Sequence, residues 1–318
     1  MNRREFIGMI AAAGAAGALR VTGAEATPFR TQLKKALIRP RMTDKVAQEL
    51  VAAGFPGVEL QDKTVTVAVA REGLKIAQAN GLTIHSFMGG WFEFNSKDAG
   101  KRAQSIDTAK HNIEIAEAYG APVMLIVPGR VGGIEMPRPS QFDLEFDAKT
   151  LELKKAASEG GFADYIRHQN EATKYAQDAL GELAPFAAAH GVILGVENVW
   201  NNLWVKPEFA AAFVRSFANP WIKAYLDLGN HVRYAPVEKW LAALDDQVVK
   251  LHIKDFKIDR TAKNEGTFVR LGEGSIDWRS VRRAIEHVGY NGWVSIEESG
   301  WTNAEYSQIM DRFFSGTL

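Results

Sequence analysis

The chain has 318 residues, 46% of them apolar and 24% charged, enough to bury a large core as one large domain or two small ones. Lys and Arg together number 38, as do Asp and Glu, so the charge balance speaks for neither nucleic acid nor a charged docking partner. No cysteine is present, which suits an oxidising compartment without requiring one.

At the amino end, "NRREF" sets Arg3 and Arg4 before an apolar stretch from Phe6 to Leu19, and Ala24-Glu25-Ala26 has the A-x-A form of a cleavage site. Residues 1–26 look like a twin-arginine export signal, with a single mature domain over 27–318. That reading predicts passage through the twin-arginine translocation machinery to the periplasm. It also predicts no membrane anchor after cleavage, since the run is short and rich in Ala and Gly. A frayed Ala/Gly-rich helix is the plainer alternative.

From Leu33 onward short apolar runs alternate with helical patterns. "LKKALI" (33–38) precedes a helix over Thr43–Ala53, with Thr43 as cap and Gly54 as stop. "GVEL" (57–60) leads to a helix over about 65–80, "LTIHSF" (82–87) to one over about 98–119, and "APVMLIVP" (121–128) to a Gly/Pro-rich, charged excursion reaching about residue 163. A helix then runs to His190. In the second half, "VILGVEN" (192–198), "IKAYLDLGN" (222–230), "VVKLHIKD" (248–255) and "GWVSIEE" (292–298) are each followed by a helix, near 207–217, 237–244, 278–288 and from 303. Eight strands each joined to the next by a helix-length crossover predict a closed (β/α)8 TIM barrel. A doubly wound open sheet is the runner-up, but no G-x-G-x-x-G turn follows the first strand.

Strand parity then selects the residues that point into the barrel. The inward sets are Ile193, Gly195 and Glu197; Lys223, Tyr225 and Asp227; Lys250, His252 and Lys254; and Trp293, Ser295 and Glu297. Each of the last four strands thus delivers one metal-competent group to the mouth, at Glu197, Asp227, His252 and Glu297. Three carboxylates and an imidazole make an oxygen-rich, moderately hard site that suits Mn²⁺, Mg²⁺ or Co²⁺, with Zn²⁺ left open. Without a cation the three carboxylates would repel one another. Plainer roles exist for each group alone: Asp227 can cap a turn with Gly229, and His252 can be a satisfied core histidine. Glu197 and Glu297 sit in apolar runs, where an unpaired charge is costly.

These motifs resemble the xylose-isomerase-like barrels, and within them the sugar phosphate isomerase/epimerase group. The resemblance spans nearly all of Leu33 to Leu318 and rests on "GVEN" (195–198), "YLDLGN" (225–230), "KLHIKDF" (250–256), "LGEGSIDW" (271–278) and "GYNGWVSIEES" (289–299). It implies one divalent metal, most often Mn²⁺, on Glu197, Asp227, His252 and Glu297. It also implies proton transfer beside a carbonyl, with Glu197 and Glu297 as the carboxylate pair. Relatives often carry Asp-x-x-His at the sixth strand, where a second metal binds in the endonuclease branch. Here position 230 is Asn and His231 follows it, and no basic stripe is present to hold DNA.

Lys254 shares the face of His252 and is expected to reach substrate or a carboxylate. His85 is expected to close the third strand beside a substrate hydroxyl, and Glu59 to do the same at the second. Asn198 and Asn230 follow ligands and are candidates for orienting them or contacting substrate. Trp91 and Trp301 are candidate sugar-stacking rings near the mouth. Export argues for a non-phosphorylated carbohydrate or keto-sugar, and "LGEG" offers no evident phosphate cradle. Isomerase or epimerase is the leading function. A lyase or dehydratase sharing the same enolate, and a non-catalytic carbohydrate-binding barrel, are the alternatives. Relatives often pair, so a homo-oligomer stays open.

Overall fold

The computed structural model describes residues 29–318, so the export signal read over residues 1–26 lies outside the described residues. In chain order the first half holds β1 (Leu33–Arg39), α1 (Asp44–Ala52), β2 (Gly57–Leu60), α2 (Val67–Ala79), β3 (Thr83–Trp91), α3 (Ala99–Ala118), β4 (Val123–Val127), β5 (Phe142–Phe146), β6 (Leu153–Ala157) and α4 (Ala163–Ala189). The second half holds β7 (Ile193–Glu197), α5 (Pro207–Ser216), β8 (Ile222–Asp227), α6 (Val237–Leu244), β9 (Val248–Ile253), β10 (Asp255–Ile258), β11 (Gly266–Val269), α7 (Trp278–Val288), β12 (Gly292–Ile296) and α8 (Asn303–Phe314).

Eight of these strands close into a parallel barrel in the order β1-β12-β9-β8-β7-β4-β3-β2. Closure is made by β1 pairing with both β2 and β12, which removes the open-sheet alternative. Helix starts follow local chemistry: Thr43 accepts from the Val46 amide at 3.2 Å, Asp277 from that of Ser280 at 3.0 Å, and Thr302 with Glu305 forms a capping box.

Two cores result, one on each side of the sheet. The larger packs the outward strand residues, such as Met124 and Ile126, against the helices. A small one inside the barrel holds Val123, Leu125, Val127 and Tyr225. β4 is apolar on both faces because it borders both cores. At the closed end Trp293 fills the interior, and a Cβ at Gly57 would overlap its ring; glycine is what lets the neighbouring strand pass there.

Three segments differ from the sequence reading. β3 continues to Trp91 instead of stopping near Phe87, through a register shift between Met88 and Gly90. The excursion after β4 contains an antiparallel hairpin, β5 with β6. The loop after β9 contains a second, β10 with β11. In each hairpin the first strand alternates, FDLEF in β5 and DFKI in β10, but its partner, LKKAA in β6 and GTFV in β11, does not; each hairpin lies outside the barrel wall.

Candidate metal centre

Glu197 ends β7, Asp227 ends β8, His252 lies in β9, and Glu297 follows β12. One ligand atom from each of these four residues lies within 4.8 Å of every other. Glu197, Asp227 and His252 are buried, whereas the Glu297 side chain is 32% exposed. The parallel register explains the convergence, since Asp227 pairs with His252 and Ser295 with His252 at one level of the barrel.

Each side chain is already held by one of its atoms. Asp227 Oδ1 accepts from the amides of Gly229 at 2.8 Å and Asn230 at 2.6 Å. The turn-capping role therefore exists, and it leaves Oδ2 free of any hydrogen bond. His252 Nε2 meets Glu59 Oε2 at 2.8 Å, so a proton on Nε2 leaves a lone pair on Nδ1. Nδ1 stands 3.2 Å from Glu297 Oε2 and 3.8 Å from Glu197 Oε1 without hydrogen-bond alignment, and is likewise unpartnered. Buried polar atoms without a hydrogen bond are rare, and here two of them lie in one cluster. Three carboxylates and one such nitrogen fit a hard or borderline divalent ion.

Lys254 crosses this cluster, with Nζ 2.9 Å from Glu297 Oε2 and 3.2 Å from Asp227 Oδ2. The protonation pattern follows from that crowding. Burial pushes the Asp227 carboxyl up to about 7, with Lys254 pulling it down and Glu297 pushing it further up. Burial also raises Glu197, with His252 opposing. Burial works to raise Glu297 too, yet His252 and Lys254 together hold it below the usual carboxylate range. His252 is disfavoured as a cation by burial, but Glu59, Glu197 and Glu297 outweigh this and raise its pKa well above the ordinary value.

Several expected substrate contacts are placed elsewhere. Glu59 is fully buried and accepts from Tyr225 Oη at 2.8 Å and Ser86 Oγ at 3.2 Å as well as facing His252. It orients the imidazole from beneath instead of ending its strand at substrate. His85 does not close its strand, because β3 runs six residues further. Its ring stacks on Trp293 with centroids 5.0 Å apart, and Nε2 lies 3.0 Å from Ser295 Oγ. Burial, then Lys250 and His252, keep it neutral by lowering its pKa.

Asn198 spends its amide on the Asp227 backbone, accepting from its N–H at 2.6 Å and donating to its carbonyl at 2.9 Å. Asn230 Nδ2 reaches Glu197 Oε1 at 3.3 Å, so both asparagines brace members of the cluster. Trp301 stacks on Tyr306 and takes the Arg270 guanidinium over its face, which is a place beside α8 and not over the centre. Trp91 is 48% exposed at the end of β3, under the Arg130 guanidinium. His231 turns away: Nε2 bonds the Val199 carbonyl at 2.8 Å, and burial lowers its pKa to about 3.

One wall of the mouth pairs Trp200, an aromatic of a top-face loop, with Phe268, which had no signal in the sequence. Trp200 donates from Nε1 to the Asn230 carbonyl at 2.6 Å and carries the Arg233 guanidinium 3.7 Å from its ring. Phe268, on the β10–β11 hairpin, stands 5.0 Å from Trp200 and lies under Lys254 Nζ. Only the fold of that hairpin brings position 268 beside position 200.

The model of the xylose isomerase-like TIM barrel family matches residues 47–313. In sequence the chain is similar to an inosose dehydratase from Glaesserella parasuis serovar 5 (strain SH0165), at 23% identity over 272 residues, 80% of this chain and 81% of that protein. In structure it is similar to a D-tagatose 3-epimerase-like protein, with a TM-score of 0.69 and 15% identity, over 89% of this chain and 98% of that one. The 3-keto-D-glucoside 4-epimerase of E. coli gives a TM-score of 0.64 and 13% identity, over 89% and 99%.

Proposed function

The chain belongs to the xylose isomerase-like TIM barrel family, and on that premise we propose that it is a metal-dependent isomerase or epimerase. It moves a proton next to the carbonyl of a non-phosphorylated carbohydrate or keto-sugar. The observation that carries this reading is the pair of buried atoms without a hydrogen bond, Asp227 Oδ2 and His252 Nδ1, in a four-residue cluster with Glu197 and Glu297. Glu197, Asp227, His252 and Glu297 would hold one divalent ion, Mn²⁺ in this proposal. When bound, the ion supplies Lewis-acid polarisation of the substrate carbonyl.

The chain's own groups supply the rest. Glu197 and Glu297 project from β7 and the end of β12, on either flank of Asp227 and His252. One carboxylate takes the proton from the carbon beside the carbonyl, and the other returns one. Return to the same carbon from the opposite face inverts it; return to the neighbouring carbon interconverts aldose and ketose. Lys254, protonated between Glu297 and Asp227, offers positive charge where negative charge develops on oxygen. Glu59 fixes the His252 ring through Nε2.

A second reading, a lyase or dehydratase, is favoured by the similarity to inosose dehydratase. The same proton removal with a leaving group β to the carbonyl gives elimination. The export signal over residues 1–26 belongs to this proposal as the reason for a non-phosphorylated substrate, and secretion of a tagged full chain from a twin-arginine-competent host, absent when Arg3 and Arg4 are replaced by Lys, tests it.

The deciding experiment follows solvent-deuterium uptake by NMR, with the chain from Thr27 loaded with Mn²⁺. Free ketoses and 3-keto-glycosides are offered, and Glu297→Gln is the control. Uptake that vanishes in the variant and on chelation is expected, and the product separates isomerisation, epimerisation and elimination. A protein that binds no divalent metal overturns the proposal; one that binds metal and sugar without exchange is a carbohydrate-binding barrel.

A further inference from the structure

A lysine head sits on a flexible four-carbon stem, yet that of Lys254 is closely placed. Nζ lies 2.9 Å from Glu297 Oε2 and 3.2 Å from Asp227 Oδ2. Two further groups confine it. Gly229 lies against the stem, where a Cβ would stand 2.7 Å from Lys254 Cγ and 2.4 Å from its carbonyl oxygen. Phe268 sets its ring centre 5.0 Å from Nζ. An aromatic face attracts an ammonium without hydrogen-bonding to a carboxylate, so the ring steadies the head while occupying neither Glu297 nor Asp227.

That ring is 42% exposed, on the four-residue strand β11. A two-stranded hairpin is marginally stable by itself, and two sets of contacts fix this one. Phe256, the register partner of Phe268, meets it edge-on at 5.2 Å. Trp200 lies 5.0 Å away, with the Arg233 guanidinium 3.7 Å from the Trp200 ring and bonded to Tyr234 Oη at 2.8 Å. A continuous run of rings and cations thus reaches from Tyr234 to Lys254.

The second set is at the hairpin tip. Glu265 has a left-handed backbone, φ +56°, uncommon for a residue with a Cβ, and its side chain is fully buried. Its Oε1 accepts from Ser140 Oγ at 2.6 Å and faces Arg138 Nε at 3.4 Å, and its Oε2 accepts from Arg260 Nη1. Arg138 Nη2 also donates to the Arg260 carbonyl at 2.6 Å. Arg138 and Ser140 belong to the excursion after β4, so one carboxylate joins rim segments 125 residues apart in sequence. A buried charge is costly unless partners meet it, and an unusual backbone persists where its surroundings enforce it. What they enforce here lies three residues from Phe268.

We propose that Phe268 is a positioning residue that clamps the Lys254 ammonium at the metal centre, and that Glu265 anchors the clamp by tying the β10–β11 hairpin to the excursion after β4. The inference rests on the function proposed above, in which Lys254 offers charge to the developing oxyanion, and it adds two residues to that site.

NMR of the full chain with carbon-13-labelled lysine, before any metal is added, tests the geometry. The Lys254 ε-methylene is the signal that Lys254→Met deletes. It is expected to be ordered by relaxation and shifted upfield by the Phe268 ring. Phe268→Leu should leave it mobile, and Phe268→Tyr should keep it ordered. Glu265→Gln retains the ring but should lose the upfield shift; Arg138→Ala, made at a half-exposed side chain, should do the same and replaces it if Glu265→Gln unfolds. A methylene as ordered in Phe268→Leu as in the wild type overturns the clamp. An upfield shift unchanged in the anchor variants overturns the role of Glu265.

Deuterium uptake after manganese loading then reads the consequence. Phe268→Leu is expected to lower kcat about fivefold, with KM and metal content unchanged, and to cost nothing further in a Lys254→Met background. Equal losses in both backgrounds overturn the positioning role. If the wild type binds no metal or exchanges no proton, the proposed function fails, while the spectra, which need neither, still decide the clamp.

Discussion

Asp227 and Asp255 are both fully buried carboxylates at the carboxyl side of adjacent barrel strands, and they do opposite work. Asp255 is saturated. Its Oδ1 accepts from the Phe256 amide at 2.8 Å, and its Oδ2 from the amides of Gly272 and Gly274 and from Trp278 Nε1 at 2.9–3.0 Å. A Cβ at Gly274 would overlap that carboxylate, so the "LGEG" glycines exist to bring backbone donors to it. No amide there is left to cradle a phosphate. Asp227 accepts hydrogen bonds on one oxygen alone, and the other, with only the Lys254 ammonium 3.2 Å away, faces His252, Glu197 and Glu297. Burial is the same in both regions. What distinguishes a structural carboxylate from a proposed ligand is whether the chain fills its lone pairs.

Substitutions at the two regions should therefore separate cleanly. The largest effect is expected at the metal centre, where Glu297→Gln lowers deuterium exchange about 1,000-fold, in the range typical of a lost acid–base group, with the fold intact by circular dichroism. The mirror experiment is Asp255→Ala. It strands four N–H donors and is expected to cost about 3 kcal/mol of unfolding free energy in denaturant titration, while metal affinity in the folded protein stays unchanged. An Asp255 variant that loses metal without losing stability would erase the contrast.

A smaller effect sharpens the role of Glu59. Glu59→Gln keeps the size of the side chain but weakens the hold on His252 Nε2, and competition with a chelating dye should show metal affinity lower by about 10–100-fold. Glu59 contacts neither ligand oxygen nor solvent, so an unchanged affinity would return it to a purely structural role.

The smallest expected effect is on pH. Asp227 is raised to about 7 in the metal-free fold, chiefly by burial, from an ordinary value near 4 when unfolded. Protonation therefore favours the metal-free fold. The penalty for the charged carboxylate is present at pH 8 and shrinks as pH falls through 7. His252, also raised in the fold, acts with the same sign. Metal binding needs the deprotonated ligands, so between pH 8 and pH 6 the melting temperature of the metal-free protein should rise while metal affinity falls, by up to about tenfold per pH unit for each proton displaced. Parallel movement of the two curves would contradict the assignment of Asp227 as the titrating ligand.

Much of this was legible in the chain itself. The eight βα beats, the cap at Thr43, and the inward parity that gathers Glu197, Asp227, His252 and Glu297 all follow from local sequence. The same parity sets Asp255 on the opposite face from His252 and Lys254. Where the reading failed, the missing term was a neighbour remote in sequence. His85 and Glu59 looked like strand-end residues because the continuation of β3 past a register shift, and the hydroxyl of Tyr225 arriving from across the barrel, have no local trace. Asn198 was legible as an orienting or substrate-contacting group, but which backbone it braces, that of Asp227, 29 residues away, was not.

The sequence by itself determined which side chains enter the barrel, because alternation along a strand is a property of the strand alone. Tertiary structure decided which of those groups are saturated and which remain open. A lone pair is filled by whichever donor the closed barrel brings within about 3 Å, and that donor comes from another strand, another loop, or nowhere.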